Sequence, residues 1–126
     1  MGFKYLIAVS GMVAFAIDDQ VYQKIMQFAK ENGWRRPCDV PHFRRKLYHG
    51  HYEVLIKLLP THWLDFEYEQ DGADFHFWGR WITNEKAEEL LREKGWERAH
   101  WTFNGFEDSY GIGICTGNPR ILSPPQ

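Results

Sequence analysis

Two histidines separated by one glycine, His49 and His51, have a spacing that suits metal chemistry. On a β-strand, residues two apart lie on the same face, so both imidazole rings could ligate one metal ion. A third ligand would have to come from Cys38, Asp39 or His42 in the preceding segment. Because the spacing of a zinc finger is absent from the sequence, we predict neither a metal nor a cofactor at this histidine pair.

Residues 100–102 (His-Trp-Thr) offer a second kind of chemistry. This tripeptide resembles the H-x-T motif of the two-histidine phosphoesterases. The resemblance implies two such motifs, in which one histidine activates and the other protonates the leaving group. The second motif would have to be residues 49–51 or residues 62–64, and neither supplies serine or threonine. A His-dependent phosphoesterase is therefore our third hypothesis.

The charge of the chain is divided into two opposite blocks. The net charge is only −2, but residues 35–58 contain six basic and two acidic residues, and residues 59–79 contain five carboxylates and no lysine or arginine. Such blocks create local potentials that steer association even when the net charge is small. The basic block and the acidic block are therefore two candidate binding surfaces.

The acidic block lies on a predicted β-hairpin. Residues 63–70 and 75–81 alternate apolar and polar side chains on either side of Asp71-Gly72, a strong turn signal. This alternation predicts an aromatic inner face and an acidic outer face. We predict that the outer face binds a basic surface of a protein partner, with Trp78 as the apolar anchor. Its candidate residues are Asp65, Glu67, Glu69, Asp71, Asp74, His76, Trp78 and Arg80.

The acidic charges of this hairpin could also serve the fold itself in two ways. Charged outer residues protect an exposed sheet from aggregation. In addition, the acidic block could pair with the basic block inside the fold, which would weaken both binding hypotheses.

The basic block gives the second hypothesis, a nucleotide or nucleic-acid binder. Its arginines are interleaved with Phe43 and Tyr48, and guanidinium groups bind phosphate while aromatic rings stack on bases. The candidate residues are Arg35, Arg36, Arg44, Arg45, Lys46, His49 and His51.

The elements that must position these residues follow from hydrophobic periodicity. Apolar residues at helical spacing predict helices at about residues 19–32 and 84–94. Pro37 and Pro41 predict that residues 34–47 form a loop or an edge segment. The predicted strands are residues 5–9, 12–17, 52–59, 63–70, 75–81, 98–103 and 110–115.

This layout predicts an α+β fold, a largely antiparallel β-sheet with two α-helices packed on one face. Both predicted helices end in Gly-Trp, at Gly33-Trp34 and at Gly95-Trp96. A duplicated β-β-α-β unit with halves 1–60 and 61–118 would explain this likeness. A generic helix ending would explain it equally well.

Composition places the chain among single-domain proteins, residues 1–126 with a Pro-rich tail at 119–126. Hydrophobic residues make up 44% and charged residues 25%, which excludes intrinsic disorder. Two cysteines, Cys38 and Cys115, are too few for a disulfide framework. The apolar run Tyr5–Ile17 is shorter than the roughly 20 residues of a membrane span. We therefore expect a cytoplasmic protein.

These features favour a small soluble interaction module over an enzyme. Neither a Gly-rich phosphate loop with its following helix nor a G-x-S-x-G motif occurs in the sequence. Small bacterial or phage inhibitors and toxin-immunity proteins share this size and surface, which is an analogy of class.

Overall fold

The computed structural model describes residues 3–9, 12–35, 39–71, 74–99 and 120–125. For residues 3–9, 12–16, 70–71, 74–75, 77 and 120–122, the description covers the backbone alone. Outside the described residues lie Arg36, Cys38, His100, Cys115 and the strand predicted at 110–115.

The described elements follow one another as strands and two helices, close to the predicted order. Their bounds are β1 Phe3–Val9, β2 Met12–Asp18, α1 Asp19–Glu31, β3 His42–Tyr48, β4 His51–Ile56, β5 His62–Asp71, β6 Asp74–Thr83, α2 Asn84–Leu91, β7 Glu97–Arg98 and β8 Arg120–Leu122.

The strands form two sheets. The larger one is antiparallel, with the order β6-β5-β4-β3-β7, and it contains both the acidic hairpin β5–β6 and the basic strand β3. The smaller sheet has the order β1-β2-β8, in which β8 runs parallel to β2. Strand β8 lies in the segment predicted as a tail. The α+β class and the largely antiparallel sheet are confirmed.

The helices begin and end where local chemistry favours it. Before α1, the Asp18 carboxylate accepts a hydrogen bond of 2.7 Å from the Gln20 backbone N–H, and it thereby satisfies one free amide of the first turn. After α1, Gly33 adopts a φ of 72°, which glycine tolerates best. The chain then turns so that the Trp34 ring packs edge-on against Phe28, with 5.2 Å between centroids.

Replacing Thr83 with alanine is expected to lower the free energy of unfolding by about 1 kcal/mol. The Thr83 hydroxyl accepts a hydrogen bond of 3.2 Å from the Lys86 N–H at the start of α2, and alanine would leave that donor without this acceptor. Urea denaturation measures the loss, with Ser123→Ala as a control at an exposed residue. Equal midpoints for the two variants would show that the cap contributes nothing.

The basic segment contains a strand where a loop or an edge was predicted. Residues 42–48 form β3, which pairs with β4 on one side and with β7 on the other. A two-residue turn at His49-Gly50, with a Gly50 φ of 75°, joins β3 to β4. The prediction was wrong because Pro41 precedes the strand and lies outside it, so its missing N–H removes no ladder hydrogen bond.

The helices lie on opposite faces of the larger sheet, which corrects the prediction of one shared face. Buried residues of α1 share one apolar cluster with Val54 and Phe66, whereas Ala87 of α2 shares another cluster with Leu55 and Ile82. Because neighbouring residues of a strand point to opposite faces, Val54 and Leu55 mark the two sides. The outer face of the hairpin was predicted to be acidic, but the same face of the sheet also carries Leu55 and Ile82, which cluster with Ala87 of α2.

The duplicated unit is not confirmed. The hairpin β1–β2 belongs to the smaller sheet, whereas β5–β6 belongs to the larger one. The two proposed copies therefore have different partners.

Candidate functional site

The sheet face against which α2 packs has a polar end, and we call this end the polar face. The strand register assembles it from side chains of β3, β4, β5 and β6 that point to the same side. It comprises Arg45, His51, Glu53, Asp65, Glu67, Glu69, His76, Trp78 and Arg80.

The predicted residues of the acidic hairpin occupy this face in opposite pairs. The register places Asp65 opposite Arg80 and Glu67 opposite Trp78. At the end of the hairpin, Asp71 lies opposite Asp74, and the description there covers the backbone alone. That these residues bind a partner stays a prediction.

His51 of the basic block contacts two glutamates of the acidic block, whereas Arg44 and Arg45 pair with glutamates outside it. His51 Nε2 lies 2.9 Å from Glu67 Oε1, and its Nδ1 lies 3.9 Å from Glu69 Oε2. Arg80 Nε donates a hydrogen bond of 3.2 Å to Asp65 Oδ2. Asp65 thus has a cationic partner on the neighbouring strand, and this partner comes from outside the basic block.

Asp65 is buried, whereas the sequence predicted it on an outer binding face. Only 5% of Asp65 and 6% of Glu53 is exposed. Burial raises the pKa of Asp65 to about 8, and contact with the Glu53 carboxyl adds to the increase, while Arg80 partly opposes it. Asp65 therefore offers a partner little surface, and its raised pKa weakens its charge relative to the exposed glutamates.

Glu53 belongs to the polar face, although the sequence did not single it out. It alternates with the apolar residues Tyr52 and Val54 along β4. That alternation is the signal that places it on the outer face with the carboxylates of β5. In the fold, the Glu53 carboxylate is buried beside Arg45.

Arg45 is held in place by three groups. Its Nη2 lies 2.8 Å from Glu53 Oε1, and its Nη1 lies 2.7 Å from Glu93 Oε2. The guanidinium carbon also sits 4.6 Å from the centre of the Trp96 ring, a cation–π contact. This arginine is thus a structural counter-ion of Glu53.

Arg44 points to the opposite face and is also engaged. Its Nη2 donates a hydrogen bond of 3.1 Å to Glu97 Oε1, and its guanidinium lies 5.0 Å from the centre of the Tyr52 ring. Since Arg44 and Arg45 are neighbours on a strand, they cannot converge on one phosphate. Arg35 and Lys46 are exposed, His49 lies in the β3–β4 turn, and Arg36 lies outside the described residues.

The two histidines of the H-x-H pair do not share a strand face. His49 is an exposed residue of the β3–β4 turn, while His51 begins β4 and contacts Glu67. Within the part of the chain that the structure describes, no group of three or more His, Cys, Asp or Glu residues could hold a metal ion.

An aromatic row crosses the polar face near the β3–β4 turn. The Tyr48 ring lies 5.4 Å from the His51 ring, which lies 5.3 Å from the Trp78 ring. Tyr48 is 69% exposed, although it is a large hydrophobic residue. With the neighbouring carboxylates, this row forms what we call the open patch: Tyr48, His51, Glu67, Glu69, His76 and Trp78.

A groove of about 600 Å³ lies elsewhere, between α1 and the loop that joins β4 to β5. Phe28, Leu59 and Pro60 contribute to its apolar lining, and Lys24 and Glu31 lie beside them. His62, at the start of β5, borders it as well. The groove contains no residue of the polar face.

Comparisons of the chain with protein-family models, with curated proteins and with solved structures find no match. Of the two helices in the described ranges, neither has the length and apolar character needed to cross a membrane. The function is therefore argued from the polar face and the open patch themselves.

Proposed function

We propose that this protein is an interaction module that binds a basic surface of a protein partner through the open patch. The observation that carries the proposal is the exposed Tyr48 in a row with His51 and Trp78, directly beside two partly exposed glutamates. Tyrosine and tryptophan are enriched among the residues that dominate binding energy at protein interfaces.

The charges around the patch favour a cationic partner. The Glu67 and Glu69 side chains are 32% and 44% exposed, so both can meet solvent or a partner. Asp71 and Asp74 add two carboxylates to the same hairpin. A lysine or arginine of the partner could pair with these carboxylates and lie against the face of an aromatic ring. Asp65 is left out of the proposed contact because it is buried.

The other two hypotheses receive less support. Arg44 and Arg45 both form ion pairs within the chain, which removes the arginine cluster that a phosphate would need. The phosphoesterase hypothesis requires His100, which lies outside the described residues. Within the class of interaction modules, an inhibitor or immunity-type protein of a bacterium or phage fits the acidic patch. A cytoplasmic location is part of the proposal and is supported by the low cysteine content.

Reversing two charges of the open patch is expected to abolish capture of the partner. The Glu67→Lys, Glu69→Lys double variant and the wild type serve as tagged baits in lysate of the source cells, treated with nuclease and read by quantitative mass spectrometry. A protein recovered in stoichiometric amount with the wild type should fall at least about tenfold with the variant, because like charges across an interface cost several kcal/mol.

The matched control reverses two exposed glutamates of α2, Glu85 and Glu89, to lysine. This control changes the net charge by the same amount away from the open patch, and it should retain the partner. If both double variants lose the partner equally, the loss depends on net charge alone, and the proposed site is contradicted. Recovery of nucleic acid that is lost after nuclease treatment would instead favour the basic segment.

A further inference from the structure

Two buried carboxyl groups meet in the polar face. Glu53 lies opposite Glu67 across β4 and β5, and Asp65 is the next residue along β5 on the same face. Glu53 and Asp65 are therefore diagonal neighbours, a separation that long side chains can bridge. Both residues are buried, with 6% of Glu53 and 5% of Asp65 exposed, so a direct contact between their carboxyl groups would exclude water.

Such a contact requires a hydrogen atom that two carboxylates do not have. An ionised carboxylate can only accept hydrogen bonds, whereas a protonated carboxyl can donate one. Asp65 Oδ2 accepts from Arg80, while Asp65 Oδ1 is buried and has no hydrogen-bond donor among the described residues. A proton on the pair would supply the missing donor and remove one buried charge.

We propose that Asp65 holds a proton beside Glu53 in the folded protein near neutral pH, and that this proton controls the position of the Arg80 side chain. The inference does not depend on the proposed function, because it concerns groups within one chain and needs no partner.

Among the charged side chains near Asp65 and Glu53, Arg80 is the one that can move when the proton is lost. From β3, Arg45 faces the pair, but Glu93 and the Trp96 ring hold it in place. His51 of β4 is engaged by Glu67 of β5. From α2, the residues that pack toward the sheet are apolar: Ala87, Leu90 and Leu91.

Arg80 differs from these groups because its side chain is 64% exposed and pairs with the Asp65 carboxyl. Loss of the proton adds a full negative charge to a buried pair, and a nearby guanidinium is then drawn toward it. With the proton present, the attraction is weaker and the guanidinium is freer to face solvent. Arg80 stands two residues from Trp78 on the same face of β6.

Carboxyl and guanidinium NMR titrations of the full chain test the inference. The side-chain carboxyl carbon of Asp65 should titrate with a midpoint at least about two pH units above the ordinary aspartate value of about 3.9. The Arg80 Nε–Hε signal should shift with the same midpoint. Asp65→Asn should abolish the Arg80 shift, whereas Glu69→Gln, a carboxylate outside the pair, should leave it unchanged.

Two results would overturn the inference. One is an Asp65 midpoint in the ordinary acid range, which would mean that both carboxyls are ionised at neutral pH. The other is an Arg80 signal that does not follow the Asp65 titration. If Asp65→Asn fails to fold, Glu53→Gln removes the neighbouring carboxylate and should move the Asp65 and Arg80 midpoints together to lower pH. Capture of a partner is not part of this test, so its outcome is separate from that of the proposed function.

Discussion

Replacing Arg45 with methionine is expected to lower the free energy of unfolding by about 3–5 kcal/mol, the usual cost of removing one member of a buried ion pair. Methionine retains an unbranched apolar stem that can pack near Trp96. It leaves the Glu53 carboxylate, which is 6% exposed, without the guanidinium that lies 2.8 Å away in the wild type. Urea denaturation at pH 7 measures the loss.

The neighbouring arginine provides the matched control. Arg44 pairs with Glu97, whose side chain is mostly exposed, and exposed ion pairs contribute up to about 1 kcal/mol. Arg44→Met should therefore cost clearly less than Arg45→Met. Adding Glu53→Gln to Arg45→Met should restore part of the stability by removing the unpaired charge. Equal losses for Arg44→Met and Arg45→Met would contradict the role given to Arg45.

Replacing Asp65 with asparagine is expected to stabilise the protein at alkaline pH. The pKa of Asp65 is raised to about 8 in the folded protein, above the value of about 3.9 in an unfolded chain. The native state thus binds more protons than the unfolded chain between these values. The stability that the protonated group contributes is fully present near pH 4 and is lost as the pH rises through 8.

Asparagine cannot ionise, and its amide can donate to Glu53 in place of the Asp65 proton. The advantage of Asp65→Asn over the wild type should grow from pH 5 to pH 8 and reach about 2–4 kcal/mol, since each pH unit contributes at most about 1.4 kcal/mol. Urea denaturation at five pH values between 5 and 9 gives the two curves, with Glu69→Gln as the control. If the free energy of unfolding has the same pH dependence for Asp65→Asn and the wild type, Asp65 has the same pKa in the folded and the unfolded protein.

The acidic hairpin is the element most accessible from sequence, because its period of two residues is unbroken on both strands. That period identifies the shared outer face of Asp65, Glu67 and Trp78, and the register confirms the pairing. It does not reveal which part of the face is covered. The burial of Asp65 depends on neighbouring strands, which are contacts between distant segments.

The arrangement of the basic segment, in contrast, could not be predicted from the sequence. Its arginines are adjacent in sequence and therefore suggest a cluster, but a strand sends Arg44 and Arg45 to opposite faces. Each then meets a glutamate about fifty residues away, Glu97 or Glu93. Gly50 in the turn is a hairpin signal. Pro37 and Pro41, which precede it, favour a loop, and the sequence therefore predicted a loop in place of the hairpin.

The most direct test of the open patch is hydrogen–deuterium exchange of this protein, alone and in complex with the partner captured by the wild-type bait. We expect new protection in peptides that cover residues 46–52, 66–70 and 76–80, and unchanged exchange along α1. Substituting Trp78 with alanine should remove that protection together with partner binding. Protection confined to α1 and the groove beside it, with the open patch exchanging as in the free protein, would contradict the proposal that the open patch is the binding surface.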